Sequence, residues 1–420
     1  MRHLIVLAAR SAWNRRLTLS LMLASIVLSV ALLLGVDRVR RDARESFGLS
    51  VAGTDLVIGA RTSPVQLMLY AVFRIGEATN NMRWESFEKL AAHPLVSWAI
   101  PLSLGDSHKG HSVVGTSGAY FERFRYGAGE NLRFSSGQAF GSVFEAVAGA
   151  EVAEQLGYRV GSRIVLSHGA ADALGADHHD KPFSVVGVLA RTGTPVDRSV
   201  HVPLEAIAAI HLDWQGGAPI AGVAIPAEHV RKFDLKPKEI TAALVGLKNR
   251  AAVFRLQREI NESSSEPLLA VMPGVALDQL WQVVGVAERV MLAISAMVVA
   301  VGLAGLVAVV LAGLNERRRE LAILRSVGAR ARDVFLLLMM EAMGITLIGT
   351  LGGLVLLGML TAVFAPFAAA QYGLIIELRF IDPGELGLLA AVVTVGVLAS
   401  LIPGYRAYKL SLADGLTPRI

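Results

Sequence analysis

Nine of the ten histidines lie between residues 93 and 229. Imidazole and carboxylate side chains crowd into one short stretch of that segment: His168, Asp177, His178, His179 and Asp180. That donor mixture suits zinc, so His168, His178 and His179 are candidate metal ligands. Residues 178 and 179 are adjacent, however, and the set shows no defined ligand spacing. A solvated polar loop is the competing reading. The chain has no cysteine, which removes thiolate zinc sites, iron–sulfur clusters and disulfides. It also has no G-x-x-x-x-G-K-[ST], no H-E-x-x-H, no G-x-S-x-G, and no G-x-G-x-x-G after a strand. No catalytic residue is expected, and any use of ATP would depend on another chain's nucleotide site.

A second cluster offers recognition rather than catalysis. Residues 315–333 read NERRRELAILRSVGARARD. Three consecutive arginines, Arg317, Arg318 and Arg319, would each cost about 2.5–3.5 kcal/mol at mid-bilayer, so they must lie in water or headgroups. Leu321, Ile323 and Leu324 make an amphipathic turn. Gly328 can close it in a left-handed conformation. The bland reading is a basic hairpin that fixes topology; the sharper one is a short helix presented to a partner.

These clusters must be positioned by a membrane architecture. Hydrophobic residues make up 53% of the 420 and charged residues 18%, against about 25% charged in soluble proteins. The apolar residues fall into four runs: 17–36, 290–314, 334–363 and 386–403. The first has no charge over 20 positions, which as a helix spans about 30 Å, the thickness of a bilayer core. It exceeds a signal-peptide core, and no small-residue cleavage site follows it, so it is expected to remain as an anchor. Only Glu341 is charged in the third run. An acid at that depth is a functional candidate by default, with snorkelling toward the basic loop as the plainer account. Gly349 and Gly353 form a small-x-x-x-small packing motif, suited to a contact between copies of the chain or within one chain.

Loop arginines set the orientation. Six lie in 315–333, whereas 364–385 holds only Arg379. The expected organisation has a cytoplasmic amphipathic segment at 1–16 and transmembrane helices at 17–36, 290–314, 334–363 and 386–403. A cytoplasmic loop spans 315–333, an outer loop 364–385 and a cytoplasmic tail 404–420. Residues 37–289 form a large extracytoplasmic domain inserted between helices 1 and 2. Short apolar runs at 55–59, 163–166 and 183–189, with helical patterns at 84–92, 145–156, 203–211 and 248–261, read as α+β. Residues 37–47 and 277–289 continue the adjoining spans without a break and read as stalks. The net charge of +5 is small for this length, and no nucleic-acid partner is expected.

The segment ERRRELAILRSVGA, with Glu341 in the next span, resembles the coupling-helix signature of MacB/FtsX/LolC-type ABC permeases. The C-terminal IPGYRAYKLSLADGL resembles that family's final motif, and DLVIGARTSPVQLMLYAVFRIGEATNNM (55–82) resembles the start of a MacB-like periplasmic core domain. Residues 115–235 carry no usable match. The resemblance implies a type VII permease whose domain has a core at about 48–114 and 236–276 and a second lobe at about 115–235. It implies an ABC ATPase partner that holds ATP–Mg, with no cofactor on this chain itself. A second permease copy or a paralogue completes the complex, in contact with membrane lipids of the bacterial inner membrane and with a periplasmic or outer-membrane partner in view. The residues that would dock the ATPase and transfer force are Glu316, Arg317, Arg318, Arg319, Glu320, Leu321, Arg325, Gly328 and Ala329. The implied activity is mechanotransmission for export, extrusion or lipid and lipoprotein handling. The alternatives are an FtsX-like regulator of a periplasmic enzyme and a zinc-related transport component.

Overall fold

The computed structural model describes residues 16–169, 178–215, 218–220, 225–316, 323, 326, 328–372 and 382–409. They form two compact units. One comprises the chain up to Asp42 with 285–369 and 376–420; the other comprises Ala43–Val284 with 370–375.

Among the described residues, four helices are long and apolar enough to cross a membrane: α1 (Arg16–Leu49), α8 (Pro273–Glu316), α9 (Ala331–Tyr372) and α10 (Pro383–Lys409). α1 runs unbroken through the charged stretch after its apolar run. Its stripe Met22, Ile26, Val30 and Leu34 is buried at helical spacing against Val299, Leu303 and Leu306 of α8 and Leu338 and Ala342 of α9. Leu28, Val301, Leu351 and Val355 remain exposed, as lipid-facing positions require.

Small residues set the helix spacing. A Cβ on Gly349 would come within 2.6 Å of Ile26, and one on Gly353 within 2.7 Å of Val30. The motif therefore faces α1 of the same chain. Gly396 of α10 meets Thr346 of α9 in the same way, at 2.5 Å. At the charged end of α1, Arg38 donates to both Glu385 oxygens of α10, at 2.9 and 3.0 Å. Arg41 adds bonds to Glu385 at 3.1 Å, to Asp37 at 3.0 Å and to Asp382. Arg38 and Glu385 are buried.

The second unit holds a twelve-stranded mixed sheet. Its strands, in chain order, are β1 (Leu56–Ala60), β2 (Val96–Ser103), β3 (Asp106–His108), β4 (His111–Thr116), β5 (Phe134–Gly137) and β6 (Glu145–Ala148). There follow β7 (Arg163–Ile164), β8 (Ser167–His168), β9 (Phe183–Leu189), β10 (Ser199–Pro203), β11 (Ala242–Leu247) and β12 (Leu268–Val271). The main path is β7-β9-β6-β10-β4-β2-β11-β1-β12, with β3 beside β4, β8 beside β3 and β5 beside β9. Pairs β9–β6 and β10–β4 are parallel and the rest antiparallel.

Strand alternation builds two cores. Leu56 and Ile58 join Ala243, Val245 and Met82 on one face, while Val57 joins Leu244, Leu67 and Tyr70 on the other. Helices cover these faces: α2 (Pro64–Ala71), α3 (Trp84–Ala91), α4 (Ala119–Arg123), α5 (Ala150–Leu156), α6 (Leu204–Ile210) and α7 (Val253–Asn261). Ser63 caps α2 by accepting from the Gln66 amide, with Pro64 in the first turn. α7 lies within the helical pattern read at 248–261. Leu256 is buried with Val253 and Ile260 packed beside it, and Gln257 donates to the Ala270 carbonyl at 3.1 Å.

Two expectations shift. The helical pattern at 145–156 resolves into β6 followed by α5, because Glu145–Ala148 is claimed by β9 and β10. Gly149 makes the joint: a Cβ there would sit 2.4 Å from the carbonyl oxygens of Val196 and Asp197. The lobe boundary expected near 115 falls inside β4, which bonds to both β2 and β10. One sheet runs through both lobes.

Candidate functional site

The coupling segment is described only at its margins. Arg317, Arg318, Arg319, Glu320, Leu321 and Arg325 lie outside the described residues. Glu316 ends α8. Gly328 has φ +107°, a region open to glycine at little strain. Ala329 precedes the start of α9, where the Arg330 amide donates to the Asp333 carboxylate at 2.8 Å, satisfying a helix-start donor. Glu341 is half-buried on α9.

The histidines form a more complete constellation. β8 pairs with β3 in a register that sets His168 opposite Asp106, and the His168 Nδ1–Asp106 Oδ1 distance is 3.1 Å. His211, at the end of α6, brings its Nε2 to 3.1 Å from His168 Nδ1 and 3.6 Å from Asp106 Oδ1. Its other nitrogen, Nδ1, lies 2.8 Å from the Ile207 carbonyl. A carbonyl only accepts, so Nδ1 carries a proton, and in the neutral ring Nε2 presents a lone pair toward the cluster. One donor atom from each of Asp106, His168 and His211 lies within 4.8 Å of the others.

His178 is 1% exposed, and neither ring nitrogen has a hydrogen-bond partner among the described residues. Its ring centroid is 5.1 Å from that of His211 and 4.5 Å from Trp214. The turn carrying it is fixed on both sides. Its amide donates to the Leu166 carbonyl at 2.9 Å. Buried Lys181 bonds both oxygens of Asp213, at 2.8 and 2.9 Å. The Asp106 bond raises the His168 pKa, and burial pushes His178 down to about 4.

The sequence expectation is thus redistributed. His168 and His178 are in the constellation. His179 is exposed and is not one of the converging donors, while Asp177 lies outside the described residues. Asp106 and His211 are additions. They stand 62 and 43 residues from His168, and no local spacing announces them. His108, on the same strand as Asp106, bonds instead to the Val165 carbonyl at 2.6 Å and the Tyr158 hydroxyl at 2.8 Å.

A cleft of about 460 Å³ reaches Asp106 and His168 and is also lined by Tyr70, Arg74, Glu77 and Asn81. A second cavity of about 190 Å³ shares Arg74 and is lined by Phe73, His111 and Arg198. Both linings mix charged and apolar groups, unlike an apolar lipid groove.

Residues 18–262 match the family described as MacB-like periplasmic core domain, and residues 292–412 match the FtsX-like permease C-terminal family. With the four apolar helices, the chain belongs to the MacB/FtsX-type ABC transporter permeases, which are multi-pass membrane proteins. The pyoverdine export ATP-binding/permease protein PvdT of Pseudomonas syringae pv. tomato is 25% identical over 321 residues, covering 73% of this chain and 43% of that protein. The macrolide export ATP-binding/permease protein MacB of Nitrobacter winogradskyi is 32% identical over 124 residues, covering 30% of this chain and 18% of that protein. The chain spans less than half the length of the curated relatives it matches. The crystal structure of the periplasmic region of MacB from Actinobacillus actinomycetemcomitans aligns at a TM-score of 0.33 and 10% identity, covering 56% of this chain and 94% of that one.

Proposed function

We propose that this chain is the membrane partner of an ABC ATPase and carries ATP-driven motion outward, in the service of export. The observation that carries this reading is the length and continuity of α1 and α8, which flank the α+β domain in sequence. With 34 and 44 residues they run to about 50 and 65 Å, against a bilayer core of about 30 Å. Such a helix transmits displacement along its axis because every internal backbone group is already bonded to its neighbour a turn away.

In this reading residues 315–333 sit in the cytoplasm in a recess of the ATPase, with both termini on that side of the inner membrane. ATP–Mg is held by the ATPase, since no segment of these 420 residues carries a phosphate-binding loop. The complex has two ATPases and two permeases, identical or paralogous. The arginines at 317–319 supply docking charge. Motion follows only if the ATP-bound ATPase binds one permease conformation better than the other. The export sense is supported by the names of the relatives, both of which include it.

The test is reconstitution with the candidate ATPase in lipid nanodiscs, comparing wild type with the Arg317→Ala/Arg318→Ala/Arg319→Ala variant. Wild type should bind the ATPase and change its hydrolysis rate, and the variant should lose at least about 90% of both effects, or roughly 1.4 kcal/mol of coupling. An ATPase that neither binds nor responds to wild type overturns the reading.

A further inference from the structure

We propose that Asp106, His168 and His211 bind a divalent cation of the zinc class, with His178 as the fourth protein ligand. Donor spacing is the first argument. Zinc–nitrogen and zinc–oxygen bonds of about 2.0–2.1 Å in a tetrahedron set the ligand atoms about 3.3 Å apart. The three observed separations are 3.1, 3.1 and 3.6 Å. Proton bookkeeping is the second. His211 has committed its Nδ1 proton to the Ile207 carbonyl, so its Nε2 lone pair faces His168 Nδ1. A single proton on that Nδ1 cannot point at Asp106 and His211 together. One cation at the centre satisfies all three atoms.

The third argument is independent of those distances. His178 is buried with both nitrogens unpartnered among the described residues. A polar group in that condition costs about 1–3 kcal/mol unless it finds a partner. Its ring lies against His211, so a side-chain adjustment brings a nitrogen to the cation. The Ile207 carbonyl behind His211 is the kind of outer bond that orients metal-bound imidazoles. The cleft of about 460 Å³ that reaches Asp106 and His168 provides the route in. The donor set of imidazoles and one carboxylate, without thiolate, selects zinc and its first-row neighbours over calcium or magnesium. This site stands whether or not the chain couples to an ATPase.

The full-length chain, purified in detergent with an affinity tag free of histidine, is titrated with Zn²⁺ and in parallel with Co²⁺. We expect one equivalent per chain, with the visible absorption of four-coordinate Co²⁺. His168→Ala and His211→Ala should each weaken binding by about 100-fold or more, and His178→Ala by about tenfold. His179→Ala, one residue away, should change nothing. Asp106→Asn preserves volume and a hydrogen-bonding oxygen, and guards against loss of fold: it should melt like wild type without metal yet bind Zn²⁺ at least tenfold more weakly. Zn²⁺ should raise the melting temperature of wild type but not of the His211→Ala variant. The proposal is overturned if wild type takes up no stoichiometric equivalent. Full affinity in folded His168→Ala and His211→Ala, or an equal loss in His179→Ala, overturns it as well.

Discussion

A buried ion pair of the membrane unit and two buried imidazoles of the α+β domain stand on opposite terms. Where α1 meets α10, a guanidinium and a carboxylate face each other through two bonds, with Arg41 as a further donor to Glu385. In the α+β domain, His178 and His201 are buried with no well-formed hydrogen bond to a ring nitrogen among the described residues. Burial enforces the first arrangement, since a charge removed from water is costly unless it is paired. A sheet domain in water can tolerate an unpaired imidazole, because the ring stays neutral when buried. The contrast separates polarity that fastens helices from polarity that is held in reserve for a ligand or for packing.

The largest break of this contrast should come from the fastening. Arg38→Ala leaves Glu385 buried beside Arg41 alone, and removing one partner of a buried pair costs about 3–5 kcal/mol. Thermal unfolding in detergent should show the loss. The Arg38→Met/Glu385→Leu double variant should recover most of it, since a hydrophobic pair of similar volume avoids desolvation. If the single variant melts like wild type, the clasp is not a fastening.

Next in size is Gly353→Leu. Its Cβ would enter the space of Val30, at 2.7 Å, and approach the Val27 carbonyl at 3.0 Å, and overpacking of this kind costs about 1–3 kcal/mol. Gly344, which has nothing within 4 Å of its Cβ position, is the control. Gly344→Leu should be tolerated in the same melt. A loss of dimerisation with unchanged monomer stability would instead move the motif to a contact between copies.

The membrane unit was largely legible because its rules are local. Twenty uncharged positions make a helix of bilayer length, and four such helices are observed among the described residues. The partner of Gly349 and Gly353 was not legible, because a small-residue motif announces close approach without naming the helix that approaches. In the α+β domain, His168 was found because it lies in a crowded stretch. Asp106 was invisible because its place opposite His168 is a sheet register, and His211 because α6 delivers it from another part of the chain. Residues 145–156 misled for the same reason: apolar spacing there fits a helix, but the strand neighbours of 145–148 decide. His179, which sequence crowding favoured as strongly as His178, is exposed instead.

His201 sharpens the other side of the comparison. Its ring is enclosed by Tyr120 and Phe121, with centroids 5.1 and 6.0 Å away. Burial, with Arg74 adding its positive charge, pushes its pKa down to about 3. The unfolded chain binds this proton near pH 6.5, so below that pH the unfolded state gains protons that the folded state refuses. Stability is therefore full above about pH 6.5 and falls with acidification toward pH 3. The loss at pH 5 is about 2 kcal/mol. A melting series from pH 7.5 to 5 should show the decline in wild type, and His201→Phe should lessen it by that amount, with a remaining slope from His178, whose pKa burial also lowers, to about 4. An unchanged slope in the variant would mean that other groups govern the acid response.

The smallest effect, and the one that tests whether the two regions act independently, is at Gly328. No atom of the described residues lies within 4 Å of a Cβ added there, yet φ is +107°. The penalty for Gly328→Ala is thus backbone strain alone, about 1–2 kcal/mol. That is too little to unfold the membrane unit, whose cluster of buried residues along α1, α8 and α9 is untouched. It is enough to disfavour the docked shape of residues 315–333, so ATPase affinity should fall by about five- to thirtyfold. Zn²⁺ affinity should stay at its wild-type value, because Asp106, His168 and His211 belong to the other unit. His211→Ala should show the converse, with weakened Zn²⁺ binding and an undiminished ATPase complex. Either variant moving both readouts together would show that the cation site and the coupling segment are linked, and that the α+β domain reports its ligand to the cytoplasm.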